Sequence, residues 1–332
     1  MKIDDVTIKI LREIALGETK IKRIAEKIKV PRTTIIARLQ KMFEENTLVV
    51  SAAVSYYKLG LQPVAVISDR AISELGIPYA AYTAKFLSYH GVKYLVLFAF
   101  PLKHIDKYLK KLGNAEVIKV YDPIIWIPDN AYVNIEKGKI RTDWIALSRG
   151  KRGKERLYLP ETPEVKVKLD QIDLYTLEKL QVNSFEKLKK IADYLGIHPN
   201  LLLYHYHKHV RPLLLGNNVD FYFWKLDEAP VELYSIQASN HEELEAILSV
   251  LRKTLNFKFA YMETGGSHAI VALQVPSWEK LDFMEALLNM KKHGLREVSL
   301  LGIIDPKSVK RYIIPFKYFG KRGWLYAKAS RY

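Results

Sequence analysis

Leu169-Asp170-Gln171-Ile172-Asp173-Leu174-Tyr175-Thr176-Leu177 repeats, halfway along the chain, the pattern of Ile3-Asp4-Asp5-Val6-Thr7-Ile8-Lys9-Ile10-Leu11. Further on, Ile191-Ala192-Asp193-Tyr194-Leu195-Gly196-Ile197 answers Ile24-Ala25-Glu26-Lys27-Ile28-Lys29-Val30, and the spacing between the two blocks differs by one residue. Later still, Glu116-Val117 with Asp122-Pro123 is echoed by Glu297-Val298 with Asp305-Pro306. Three ordered matches predict a duplicated unit of roughly 160 residues.

Each copy opens with helical patterning. Val6, Ile10, Leu11 and Ile14 form one apolar face, and Ile21, Ile24, Ala25 and Ile28 form a second. Pro31 suits the first turn of a helix, where its missing N–H costs nothing. Beyond it, Ile35, Leu39, Met42 and Phe43 make a third stripe. Three short helices with a tight link between the last two predict a helix-turn-helix. The β-rich run Leu48–Val54 supplies a wing or the strand leading out.

The second copy continues with a strand over 230–238, a helix capped by Asn240 and running to about Lys253, and a strand over 257–263. Gly265-Gly266 forms a hairpin turn, a strand returns over 269–275, Ser277 caps a helix ended by Gly294, and Glu297–Ile304 closes the set. The order βαββαβ is the ferredoxin-like fold. In the first copy, strands are expected over 64–67, 93–100 and 116–121, with a helix over 102–112. Residues 80–89 fit either helix or strand, and a hairpin at His90-Gly91 would preserve the symmetry.

The expected class is therefore α+β, with two winged helix-turn-helix domains alternating with two ferredoxin-like domains. The boundaries fall at 1–56, 57–147, a basic linker 148–168, then 169–226, 227–306 and a basic aromatic tail 307–332. A length of 332 residues suits two to four small domains. Lys and Arg number 52 against 36 Asp and Glu, a formal charge of +16. That excess points to a polyanionic partner, nucleic acid ahead of an anionic membrane surface. The bland alternative is a basic protein with no special partner.

The chain has no cysteine, which excludes disulfides, thiolate metal sites and a cysteine nucleophile. The first residues lack the layout of a signal peptide, and apolar runs such as 95–100 are far short of the ~18 residues that span a bilayer. A cytoplasmic protein with no membrane partner is expected. Absent Cys and scarce Gln suit a heat-adapted source.

Several stretches resemble the Lrp/AsnC, or feast/famine, regulators. Leu169-Asp170-x-Ile172-Asp173-x-x-x-Leu177 looks like that family's opening helix. Val30-x-x-Thr33-Thr34-Ile35-x-x-Arg38-Leu39-x-x-Met42-x-Glu44-Glu45 looks like its recognition helix, and Leu59-Gly60 like its entry into the sensor domain. The resemblance implies a transcription regulator whose sensor domains pair and often bind an amino acid. Two copies in one chain would pair internally as a pseudo-dimer, with a homodimer as the alternative. The family's ligand loop resembles Thr-Gly-x-x-Asp; here Thr264-Gly265-Gly266-Ser267-His268 keeps Thr and Gly but carries His in place of the acid. Thr264, Gly265, Gly266 and His268 are therefore the candidate effector site, and turn chemistry alone is the simpler account of the two glycines.

Double-stranded DNA is the expected partner. The first recognition helix presents Arg32, Thr33, Ala37, Arg38 and Lys41 opposite its apolar stripe, with Thr34 a further candidate contact, and its N-terminal part would enter the major groove. Arg holds guanine through two bonds, and Thr reaches phosphates or base edges. Lys41 and Lys22 position the backbone rather than read sequence. A salt bridge within the domain is the alternative role for Arg38. The second recognition helix offers Asn200, Tyr204, His205, Lys208 and Arg211. His205 and His209 stand four apart, a metal-ligand spacing, but no acid or cysteine nearby in sequence completes a motif, and no metal or cofactor is expected. Lys151 and Arg152 of the linker, with Lys321 and Arg322 of the tail, would contact phosphates. The tail's aromatics fit packing or base stacking, with Ile313–Phe316 expected on the second domain.

Two other readings stay open. Net charge fits a nucleoid-type or RNA-binding protein of low specificity equally well. The architecture also resembles siroheme decarboxylases, which would put Tyr204, His205 and His207 near a porphyrin carboxylate. With no nucleophile–base pair, phosphate loop or carboxylate pair in view, the expectation is a protein that is not an enzyme.

Overall fold

A computed structural model describes residues 3–71, 77–136, 139–149, 157, 159, 168–321 and 323–327. Helix α1 (Asp5–Ala15) starts where the Asp4 carboxylate accepts the Thr7 N–H, and it buries Ile8, Ile10, Leu11 and Ile14. Helix α2 (Ile21–Ile28) stops at Lys29, which turns left-handed, and α3 (Arg32–Glu44) buries Ile35, Leu39 and Met42. Strand β1 (Leu48–Val54) leads out.

The first sheet unit comprises β2 (Leu61–Ser68), β3 (Ala80–Ser88), β4 (Gly91–Pro101), the short helix α4 (Ile105–Leu109) and β5 (Glu116–Lys119). The segment open to helix or strand is strand: Ala80–Ser88 buries most of its side chains and pairs with β4 through a tight turn, Ser88 facing Gly91. The helix expected over 102–112 is shorter, a 3-10 turn followed by α4. Beyond β5 come elements that patterning did not reveal: a hairpin of β6 (Val133–Glu136) and β7 (Lys139–Thr142), then α5 (Trp144–Arg149).

The second unit repeats the order. Helix α6 (Gln171–Val182) opens with a capping box between Asp170 and Asp173, α7 (Leu188–Leu195) ends at left-handed Gly196, and α8 (Pro199–His205) runs into a π turn over Tyr206–Val210. Then come β8 (Leu214–Phe221), β9 (Val231–Ala238), α9 (His241–Leu251), β10 (Phe257–Met262), β11 (His268–Gln274), α10 (Lys280–Lys291) and β12 (Leu295–Ile304). Asn240 caps α9 as expected; Ser277 instead begins a 3-10 turn ahead of α10.

The strand order β10-β11-β9-β12-β3-β4-β2-β5 gives each unit the ferredoxin-like arrangement, its first strand between its third and fourth. The two sheets join where Ile303 and Ile304 pair with Leu87 and Phe86, and β13 (Lys310–Arg311) extends the seam on Thr83 and Tyr82. At the other end, bridges Val120–Glu263 and Ile124–Ala260 bring the chain after β5 back onto β10. The Tyr121 N–H donates to the Met262 carbonyl at 3.0 Å, so both ends of the sheet are covered.

The helical heads are tied by an antiparallel ribbon in which β1 pairs with β8, Leu48 opposite Phe221. Gly216 lies against α1 there, and a side chain on it would collide with the Ala15 carbonyl. The cores run across the units. The first head shares its apolar cluster with the second unit's α9 and α10, while the second head shares its own with β2 and β4. Two arms cross as well. After Asp122 the chain passes to the second unit, where Trp144 donates to Glu279 at 3.0 Å and packs on Phe283. After Asp305 it passes to the first, where Trp324 donates to the Leu59 carbonyl at 2.6 Å and Tyr79 to the Leu325 carbonyl at 2.6 Å. Strands β14 (Phe319–Gly320) and β15 (Gly323–Trp324) shape that second arm. Ile314 and Phe316 therefore pack against the first sheet unit and the second head, not on the second sheet domain. Among the described residues, no helix is long and apolar enough to cross a membrane.

Candidate nucleic-acid interface

Helix α3 has one buried and one open side. Ile35, Leu39 and Met42 are within a few per cent of full burial, while Arg32, Thr33, Ala37, Gln40 and Lys41 face solvent and Thr34 is half-buried. Arg38 lies between the two sides. Its guanidinium grips both oxygens of Asp4, with Nη2 at 2.8 Å from Oδ2, and also donates to Thr7. Arg38 is committed within the domain, and it holds the Asp4 carboxyl well below the usual range. Lys22 and Lys41 are exposed and pair loosely along their own helices with Glu26 and Glu45.

The second head differs. Asn200, Tyr204, Lys208 and Arg211 are exposed, as are Leu201 and Leu203. His205 is turned inward instead: it is 8% exposed and its Nδ1 lies 2.9 Å from the Asp173 carboxylate. Lys321 is exposed on the second arm. Lys151, Arg152 and Arg322 lie outside the described residues.

The four residues of the expected effector loop all have protein partners. Thr264 Oγ1 is 3.2 Å from the Tyr57 hydroxyl, and the Gly265 N–H donates to the Tyr121 hydroxyl. The Gly266 carbonyl lies 2.9 Å from His241 Nδ1, and His268 Nε2 lies 2.8 Å from Ser235 Oγ. The loop latches the second sheet unit onto the first.

A site missed by sequence reasoning lies between the β1–β8 ribbon and the large sheet. This open concavity is lined by Tyr56 and Tyr82 from the first unit and by Asp220, Lys258, Tyr261 and Arg311 from the second. Arg311 pairs with Asp220. Lys258 has no carboxylate partner among the described residues: its ammonium donates to the Phe221 carbonyl at 2.8 Å and sits 4.3 Å over the Tyr222 ring. Burial pulls it down to about 7. A desolvated, unneutralised cation facing a cavity is suited to a ligand carboxylate or phosphate. The signal was present as a single lysine inside the apolar strand Phe257-Lys258-Phe259-Ala260-Tyr261-Met262.

No family model matches the chain, and no curated protein matches it. Among solved structures, the siroheme decarboxylase NirDL is similar with a TM-score of 0.50 at 9% identity, over 90% of each chain. NirDL in co-complex with an iron-uroporphyrin III analogue gives 0.49 at 10% identity over 91% of each. PH0061 gives 0.30 at 18% identity, over 44% of this chain and 98% of its own. At such identity the likeness to NirDL concerns the fold, an α+β assembly of winged helices and ferredoxin-like sheets. It corrects one expectation. These parts, without an evident nucleophile–base pair, had pointed away from catalysis, yet NirDL shares the architecture and is an enzyme.

Proposed function

We propose that this chain is a cytoplasmic DNA-binding transcription regulator, an Lrp/AsnC-like unit present twice and paired within one chain. The observation that carries the reading is the open side of α3, where Arg32, Thr33, Ala37, Gln40 and Lys41 stand uncovered on a helix whose other side is fully buried. Such a helix fits a major groove, with Arg32 and Thr33 at the base edges and Lys41 on a phosphate. The matched order of elements and the exchanged arms support internal pairing. The heads then span 1–56 and 169–226, the sheets 57–147 and 227–306, and 148–168 and 307–332 add basic charge. Because the two heads present different side chains, an asymmetric site is expected. The test is footprinting on DNA selected from the source genome, with unrelated DNA as competitor and salt varied. A discrete footprint, with affinity falling steeply with salt, supports the reading. Equal affinity for competitor DNA points to a nucleoid-type protein, and no binding at low salt overturns both.

Lys258 favours a second, enzymatic reading. An amine held near neutrality inside a cavity can neutralise a substrate carboxylate or shuttle a proton, and the likeness to NirDL supports a carboxylated tetrapyrrole as the first ligand to try. Titration with siroheme or a porphyrin, followed by absorbance, tests it. A shift of the main visible band that is lost in Lys258→Met supports it, and an unchanged spectrum removes it.

A further inference from the structure

The acid that the sequence does not supply near the histidines comes from another helix. Asp173, the third residue of α6, is fully buried and reaches the end of α8. Its carboxylate lies 2.9 Å from His205 Nδ1 and 3.1 Å from His209 Nδ1, and the three donor atoms are within 4.8 Å of one another. The two imidazoles stand edge to face at 5.2 Å. Asp170 Oδ1 is 3.7 Å from His205 Nδ1, at the rim of the cluster.

We propose that Asp173, His205 and His209 bind one divalent transition ion of the zinc class. Two imidazoles and a carboxylate are a donor set for such ions, and ligands at about 2.0–2.1 Å in a tetrahedron stand about 3.3 Å apart. The two histidine–aspartate separations need only small adjustment to reach that figure, and the two imidazole donors lie within 4.8 Å of each other. Each ring would bind through Nδ1 as the neutral Nε2–H tautomer, so a proton on Nδ1 moves to Nε2 or, from a doubly protonated ring, to solvent; the fourth position is left for water on the His209 side, the more open of the two.

The first head underlines how specific this arrangement is. Matching Val30 with Ile197 puts Arg38 in the seat of His205 and Met42 in the seat of His209, while Thr7 stands where Asp173 does. The first head thus ties α3 to α1 with an Arg–Asp pair, and the second has replaced that tie with a ligand set. The bound ion would fix α8 against α6, setting the angle at which the second head presents Tyr204 and Lys208. This inference does not depend on either functional reading.

The test uses the full chain stripped with chelator and then titrated with Zn²⁺ by calorimetry and with Co²⁺ by visible absorbance. One ion per chain, tetrahedral Co²⁺ bands and a Tm raised by several degrees are expected. His209→Met and His205→Arg, which install the first head's residues, should each lose the ion, while His207→Ala, altering an exposed neighbour, should keep it. Should one of the first two fail to fold by circular dichroism, the other decides. No uptake by the wild type, or undiminished uptake in a folded His209→Met or His205→Arg chain, overturns the proposal.

Discussion

Arg38 and His205 occupy corresponding seats in the two helical heads, and each reaches back from the third helix to a carboxylate at the start of the first. In the first head the link is an ion pair, shared with Thr7. Asp4→Asn or Arg38→Gln should destabilise that head by about 1–2 kcal/mol, the scale of a partly exposed charge-assisted pair. The Asp4 carboxyl is depressed, so its contribution is present above the ordinary aspartate range near pH 4 and fades as acid brings it toward its folded value. Chemical denaturation at pH 7 and pH 3 should show a gap between wild type and Asp4→Asn that narrows in acid.

The open side of α3 separates readers from anchors. Lys41→Ala should weaken DNA binding evenly across sequences and lower the salt slope by about one unit. Arg32→Ala should cost about 1–3 kcal/mol on the preferred site and little elsewhere. Equal losses on specific and unrelated DNA for both variants would contradict base reading by Arg32.

Lys258 carries a burial cost. Its folded value is about 7, below the ordinary lysine range, so the cost is complete below pH 7 and fades as pH rises toward 10. Lys258→Met should raise stability by about 1–3 kcal/mol at pH 6, with a smaller gain at pH 9.5. A constant gain at both pH values would show that the amine is not desolvated.

Glu279 titrates in the opposite sense. It is fully buried, accepts from Trp144, and burial pushes its carboxyl up to about 7; its second oxygen finds no hydrogen-bond partner among the described residues. Its contribution is complete below about pH 4 and is lost as pH rises through 7. Glu279→Gln should match the wild type near pH 4 and exceed its stability by about 1–3 kcal/mol at pH 8. A Tm difference independent of pH would refute the raised value.

The second arm is load shared between the units. Trp324 is buried against Tyr79 and Phe319 and bonds to Leu59. Trp324→Ala should cost about 3 kcal/mol, with fluorescence and near-ultraviolet dichroism reporting loss of packing around Tyr79.

The second βαββαβ order was legible because its strands and helices carry clean periodicities over 230–304, whereas residues 80–89 of the first unit fit helix or strand equally and only their pairing with β4 decides. The arms were not legible. Trp144 and Trp324 bond to partners far away in sequence, and local patterning holds no trace of such contacts. The tail read as basic and aromatic, which is true of its composition but hides that its rings fill a distant core. The effector loop followed a family resemblance, whereas Lys258 and Asp173 needed only a different question: why a charge sits in an apolar strand, and what faces the inner side of the histidine helix. Arg38's two possible roles were both visible, and only the geometry of Asp4 tells them apart.

The exchanged heads and arms have a consequence for how the chain can diversify. A homodimer encodes both halves of its interface with the same codons, so any change is made twice and must suit both sides at once. Here the partners are synthesised one to one on a single polypeptide, and each seat varies alone. That independence is what lets one head keep arginine where the other has histidine.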